Sequence, residues 1–207
     1  MSRAKERPML FNGPMASAVL DGRKTVTRRV VSERSLKEIG CGVQLGECHE
    51  LPADGKVHPN SASYYADLCP YGRPGDLLWG REAWAADSQL DGIAPRELSQ
   101  GEPIRYLADG AIRATGSWMI APGRTRPSIH MPRWASRVLL EITEVRIELL
   151  QHITIGQICK EGLARSMYEF KPVTQAFDAF AELWNSTGGD WDANPWVWAI
   201  EFKRVHP

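Results

Sequence analysis

Residues 137–149, RVLLEITEVRIEL, carry the plainest structural signal in this chain. Val138, Leu140 and Ile142 alternate with Leu139, Glu141 and Thr143, the period-two pattern of a strand, and the phase changes near Glu144. A phase change inside one apolar run marks a bulge or bend, so the stretch is a strand pair or one long bent strand. Residues 25–31 (TVTRRVV) are β-branched enough for another strand. The segment DLLWGREAW, after the Pro74-Gly75 turn, sets Leu78, Gly80, Glu82 and Trp84 on one strand face; residues 104–108 and 196–202 add two more strands.

Three helices are interspersed. Residues 14–21 have Pro14 in the first turn and Gly22 just past the end; Thr154 caps a short helix to Lys160, ended by Gly162; residues 172–184 repeat apolar side chains at helical spacing. Non-consecutive strands with helices between them predict an α+β fold, a small mixed β-barrel or curled sheet with flanking helices.

A length of 207 residues suits one generous domain or two very small ones. With 43% hydrophobic and 24% charged residues, disorder, collagen and coiled coil are excluded. Lys plus Arg and Asp plus Glu both number 25, which excludes a general polycation, but the neutrality is made of blocks: residues 1–37 carry a surplus of positive charge, and residues 110–137 hold five Arg and no acid. If the fold brings both together, a neutral chain presents one basic face. No run of 18 apolar residues and no apolar core behind MSRAKERPML is found, so the expectation is a cytoplasmic protein with no membrane partner. Four cysteines then stand as free thiols. A zinc site from Cys41, Cys48, Cys69 and His49 or His58 lacks a CxxC doublet, so no metal and no cofactor are expected. Eight Trp read first as packing residues, some of which can stack on bases.

Among generic catalytic motifs, none of the Walker, GxGxxG, GxSxG or HExxH type is present. The segment GRKTVTRR, residues 22–29, stands where a helix end meets a strand. Taken alone it is equally a basic strand edge that deters aggregation. However, its G-x-K-x-x-T-x-R pattern, with Gly22, Lys24, Thr27 and Arg29 in the fixed places, resembles the ASCH domains of the PUA-like superfamily. PGDLLW, ITIGQICKEG and WVWAIEFKRV are similar, in order, to that family's strand after a turn, its short helix ending in Glu-Gly, and its closing strand. CPYGRPGD, PSIHMPRWASR and WDANPWVW look like the phage and prophage branch. The resemblance covers about half of the chain and implies a single PUA-like domain over residues 1–207, with insertions at about 32–68 and 86–127.

The resemblance further implies a cleft beside the motif and work on RNA or nucleosides. Some ASCH proteins are amidohydrolases that remove the acetyl group of N4-acetylcytidine with a Lys, a Thr and a Glu; Lys24 and Thr27 match by motif and Glu161 by its place in the short helix. Others are nucleic-acid binders or ribonucleases. The chemistry is self-consistent without metal. A Thr hydroxyl needs a neighbouring base, and a desolvated Lys can be that base. Backbone N–H groups near Gly22, or Arg29, can face the oxyanion, and a carboxylate can protonate the leaving nitrogen or orient water.

Glu82, next to Arg81 on a predicted strand, is the alternative carboxylate, or else an Arg-paired acid. Residues 124–137 interleave Arg124, Arg126, Arg133 and Arg137 with His130 and Trp134, a mixture that suits phosphate contacts and base stacking or, equally, a plain basic loop over a buried Trp. Three functions stand: a metal-free amidohydrolase for N4-acylated cytidine or a related modified pyrimidine nucleoside, a non-catalytic RNA- or DNA-binding module, and a ribonuclease.

Overall fold

A computed structural model describes residues 4–113 and 118–205 of the chain. Residues 114–117, inside the second expected insertion, lie outside the described residues, as do 1–3 of the charged start. In chain order the first elements are β1 (Glu6–Leu10), α1 (Gly13–Leu20), β2 (Val26–Val30), α2 (Glu33–Gln44), α3 (Ala62–Asp67) and β3 (Leu77–Arg81). β4 (Trp84–Ala85), β5 (Ile104–Tyr106), β6 (Ile112–Arg113), β7 (Leu139–Leu149), α4 (Ile155–Lys160), α5 (Gln175–Ser186) and β8 (Trp196–Val205) follow. The α+β class is as expected; no closed barrel is found among the described residues. The chain forms two compact units, one of residues 1–5, 23–76 and 141–203, the other of 6–22, 77–140 and 204–207.

The first unit holds β7, β8 and β2 side by side in that order. β2 runs antiparallel to β8, with Thr27 opposite Ile200 and Arg29 opposite Trp198. β7 is one long strand, and its phase change is real: Leu140 and Ile142 are buried, Thr143 and Glu144 are both exposed, and Val145 and Ile147 are buried next. α5 buries Ala176, Phe180 and Trp184, spaced four apart, in a core shared with Leu150, Ile153, Ile158 and Val197.

α4 has only six residues, too few to persist alone, so its ends matter. Thr154 Oγ1 accepts from the Gln157 N–H while the Gln157 side chain reaches back to the Thr154 N–H, a reciprocal capping box. At the other end Gly162 has φ +95°, the left-handed turn that frees the chain from the helix. Thr154→Ala removes this cap and is expected to cost about 1 kcal/mol, read as a shift of the urea midpoint with unchanged slope.

Residues 32–68, the first expected insertion, contain α2 and α3. Ser32 caps α2 by accepting from the Ser35 N–H at 3.2 Å, and Ser35, Ile39 and Gly42 form the buried stripe. Gly42 allows a close approach, since a Cβ there would collide with the Tyr64 hydroxyl of α3.

The second unit pairs β1 with β3 in parallel, Pro8 opposite Trp79, and sets β4, β5 and β6 in a small antiparallel sheet. Its core gathers Trp84, Leu98, Ile104, Tyr106, Met131 and Ala135, and Tyr106 donates its hydroxyl to the Ala135 carbonyl at 2.9 Å. Trp79, Trp84, Trp184 and Trp198 are packing residues as expected, whereas Trp118 is 86% exposed. No helix among the described residues is long and apolar enough to cross a membrane.

Candidate functional site

The site assembles in the first unit where the segment before β2 meets the end of α4. The Thr25 N–H donates to the Lys160 carbonyl at 2.8 Å, and the Thr25 carbonyl accepts from Phe202 of β8 at 2.9 Å. These two backbone bonds, both made by Thr25, fix the chain directly after Lys24 and bring it to the α4 terminus. There Lys24 Nζ donates to the Glu161 backbone carbonyl at 3.1 Å and, through a very short contact, to the Glu161 carboxylate. The first bond satisfies a carbonyl that a helix end leaves without an intrahelical partner.

Glu161 is held from a second side. Arg28 Nη1 donates to Glu161 Oε1 at 2.9 Å, its Nε to Glu148 Oε1 at 2.9 Å, and its Nη2 to Gln157 Oε1 at 2.7 Å. Lys24, Arg28 and Glu161 are all buried, at 2%, 2% and 4% exposure, so these are low-dielectric contacts whose partners strongly depend on one another. Strand alternation puts Thr27 and Arg29 on the face of β2 opposite to Arg28. There Arg29 Nη1 donates to Thr27 Oγ1 at 3.0 Å and to the Arg28 carbonyl at 2.8 Å.

Burial is the dominant influence on the Lys24 amine and pushes its pKa below the ordinary lysine value; Glu161 pulls it back up, while Arg29 and Arg28 push it further down. Thr27 is buried, and its oxygen faces a permanent cation, so its own proton is directed elsewhere and an alkoxide there would be stabilised. Tyr71 stands near Arg29, its phenol raised by burial and lowered in part by that guanidinium.

The expected residues therefore divide by place. Lys24, Thr27, Arg29 and Glu161 all belong to the first unit: Lys24 meets Glu161, and Arg29 meets Thr27. Gly22 closes α1 with φ +72° and open space where a Cβ would stand, so conformation rather than room calls for glycine there. The other candidates lie in the second unit. Glu82 is buried and gripped by Arg137 through a two-bond fork at 2.8 and 2.9 Å, so of the two candidate carboxylates it is Glu161 that meets Lys24. Arg137 also binds Asp109 and lies 4.0 Å from the Tyr106 ring centre.

Arg81 stacks on Trp79 at 4.5 Å. Arg126 is buried, its guanidinium spent on the carbonyls of Ile93 and Leu90 at 2.9 and 2.7 Å and on the Trp84 ring. Arg133 pairs with Glu6 at 2.7 Å, Trp134 packs beside the core under Arg113, and His130 is exposed. Much of the acid-free block is thus consumed internally by carbonyls, rings and acids from other segments.

Sequence reasoning missed Arg28, Glu148 and Gln157. The one available signal was the double arginine inside a β-branched strand, which forces one guanidinium onto the covered face. Among the described residues no group of three or more His, Cys, Asp or Glu is arranged to hold a metal ion.

No protein-family model and no curated protein matches this chain. A crystal structure of the ASCH domain from Lactobacillus crispatus JV V101 aligns over 98% of this chain and 81% of that one, at 12% identity and a TM-score of 0.38. A likeness of that size assigns neither family nor function.

Proposed function

We propose that the chain is an ASCH-type, PUA-like amidohydrolase that cleaves N4-acylated cytidine or a related N-acylated pyrimidine nucleoside, with Thr27 as nucleophile, Lys24 as base and Glu161 assisting. The observation that carries the reading is the buried Lys24, held by Glu161 and depressed by desolvation, with Arg29, which also lowers the Lys24 pKa, donating to the Thr27 hydroxyl. Lys24 takes the Thr27 proton as Oγ1 attacks the acyl carbon. The tetrahedral oxyanion collapses, the bond from the acyl carbon to nitrogen breaks, and Lys24 returns the proton to the leaving amine. Water, deprotonated by Lys24, then releases the carboxylic acid and restores Thr27. Arg29 supplies fixed positive charge at Oγ1 and, with backbone N–H groups, favours the charge developing in the transition state. With both carboxylate oxygens engaged by cations, Glu161 holds Lys24 and orients the water.

The test is release of acetate and cytidine from N4-acetylcytidine as a function of pH. Activity is expected to rise as Lys24 loses its proton, with a midpoint below the ordinary lysine range, and Lys24→Ala is expected to abolish both turnover and that limb. No turnover of any N4-acylated nucleoside would sink the reading.

A second reading, an RNA- or DNA-binding module, is favoured by the exposure of Trp118, Arg124 and His130 in the second unit. It predicts gel shifts with single-stranded RNA or DNA that weaken steeply with salt and with Arg124→Ala; no shift at low salt contradicts it.

A further inference from the structure

Arg28 occupies no place in the reaction as written, yet it is among the largest fully buried side chains and spends three nitrogens on three side chains, Glu148 of β7 and Gln157 and Glu161 of α4 and its cap. Glu148, its partner on β7, is itself shared with Arg146 at 3.2 Å, and Arg146 reaches Glu201 of β8 at 2.9 Å. A guanidinium held by Glu148 through Nε and by Gln157 through Nη2 offers its Nη1 to Glu161 from a fixed point. One oxygen of Glu161 is thereby committed to Arg28, and the other is left for Lys24.

We propose that Arg28 is a positioning residue of this site: it fixes the Glu161 carboxylate against Lys24 and divides that carboxylate's charge between two cations, so that Lys24 is readied to accept a proton. The inference rests on Lys24 acting as the base, as proposed above. The charged and titratable groups around Lys24 are Glu161 at the end of α4, Arg28 and Arg29 of β2, with Glu148 behind Arg28 and Tyr71 beside Arg29. Among them Arg28 and Arg29 oppose a second positive charge and Glu161 favours one. Removing Arg28 deletes a repelling cation and hands the whole carboxylate to Lys24, and both changes act in the same direction.

The experiment is the titration of the Lys24 amine, followed by NMR on the full chain with isotopically labelled lysine and assigned with Lys24→Arg. Arg28→Gln is expected to raise the Lys24 midpoint by about one pH unit, whereas Arg28→Lys, which keeps the charge, leaves it close to wild type. Arg28→Gln leaves Glu148 without its buried partner, so the double variant Arg28→Met with Glu148→Gln removes cation and counter-ion together and guards against a failure to fold. It too is expected to raise the midpoint. A midpoint unchanged or lowered in the folded variants, or moved as far by Arg28→Lys as by Arg28→Gln, overturns the proposal, and a residue that merely supports the fold gives that result. The titration needs no substrate, so it decides the role of Arg28 even if N4-acetylcytidine is not turned over. Where turnover is present, the acid limb of the pH–rate profile moves upward by the same amount.

Discussion

Thr27→Ala is expected to lower turnover of N4-acetylcytidine by roughly 10⁴-fold while leaving the fold intact, because nucleophile and base act as one unit and loss of either removes nearly the whole chemical advantage. The site favours a clean result. Thr27 is buried within a five-residue strand whose partners across the ladder, Ala199 to Glu201 among them, are held by backbone bonds that the substitution does not touch. The loss is expected in kcat, with KM little changed, because the hydroxyl is consumed in bond formation. Thr27→Ser restores a hydroxyl at the same reach and is expected to recover much of the rate. Initial rates of cytidine release from the three chains check this, and equal rates for wild type and Thr27→Ala would remove Thr27 from the mechanism.

The largest stability effect is expected at Glu161. Glu161→Gln keeps the shape but leaves Lys24 and Arg28, two buried cations, with no shared anion at the α4 terminus. Breaking a buried ion network by removing one partner costs about 3–5 kcal/mol, because the remaining charge is desolvated without compensation. Lys24 can escape by shedding its proton, so the deficit depends on pH. In the variant the folded chain binds the Lys24 proton less tightly than the unfolded chain does. Between those two pKa values the unfolded state carries more protons, and raising the pH therefore stabilises the fold. Urea unfolding at about pH 7 and about pH 9.5 is expected to show the deficit shrinking at the higher pH; the same deficit at both would mean that Lys24 does not carry the strain.

The pairing of Lys24 with Glu161 is legible because the resemblance that names them rests on a helix-to-strand junction and a Glu-Gly helix end, features that survive as local patterns. Arg28 was not legible in the same way. A strand reading of TVTRRVV treats its arginines as a solvated edge, and only the tertiary approach of α4 and β7 supplies the carboxylates that let one of them be buried. The bend of β7 was visible because a change of burial phase is written directly into LLEITEVRI. α2 leaves little trace in the sequence since Gly40 and Gly42 weaken its propensity, although Gly42 is where α3 needs room.

The acid-free block misled for the opposite reason. Composition implies a basic surface, but Arg126 finds two loop carbonyls and a Trp ring, and Arg137 finds Glu82 and Asp109. An arginine's planar set of donors serves a loop interior as well as it serves a phosphate, and sequence alone does not separate the two uses.

The proposed reaction passes an acyl group through Thr27. Its most direct measurement mixes excess protein with N4-acetylcytidine labelled in the acetyl group, quenches on the millisecond-to-second scale, and locates the label by peptide mass spectrometry. A transient acetyl group is expected on the peptide bearing Thr27, formed with cytidine release and absent from Thr27→Ala. Cytidine and free acetate appearing together with no label on that peptide, and at the same rate in Thr27→Ala, would contradict it.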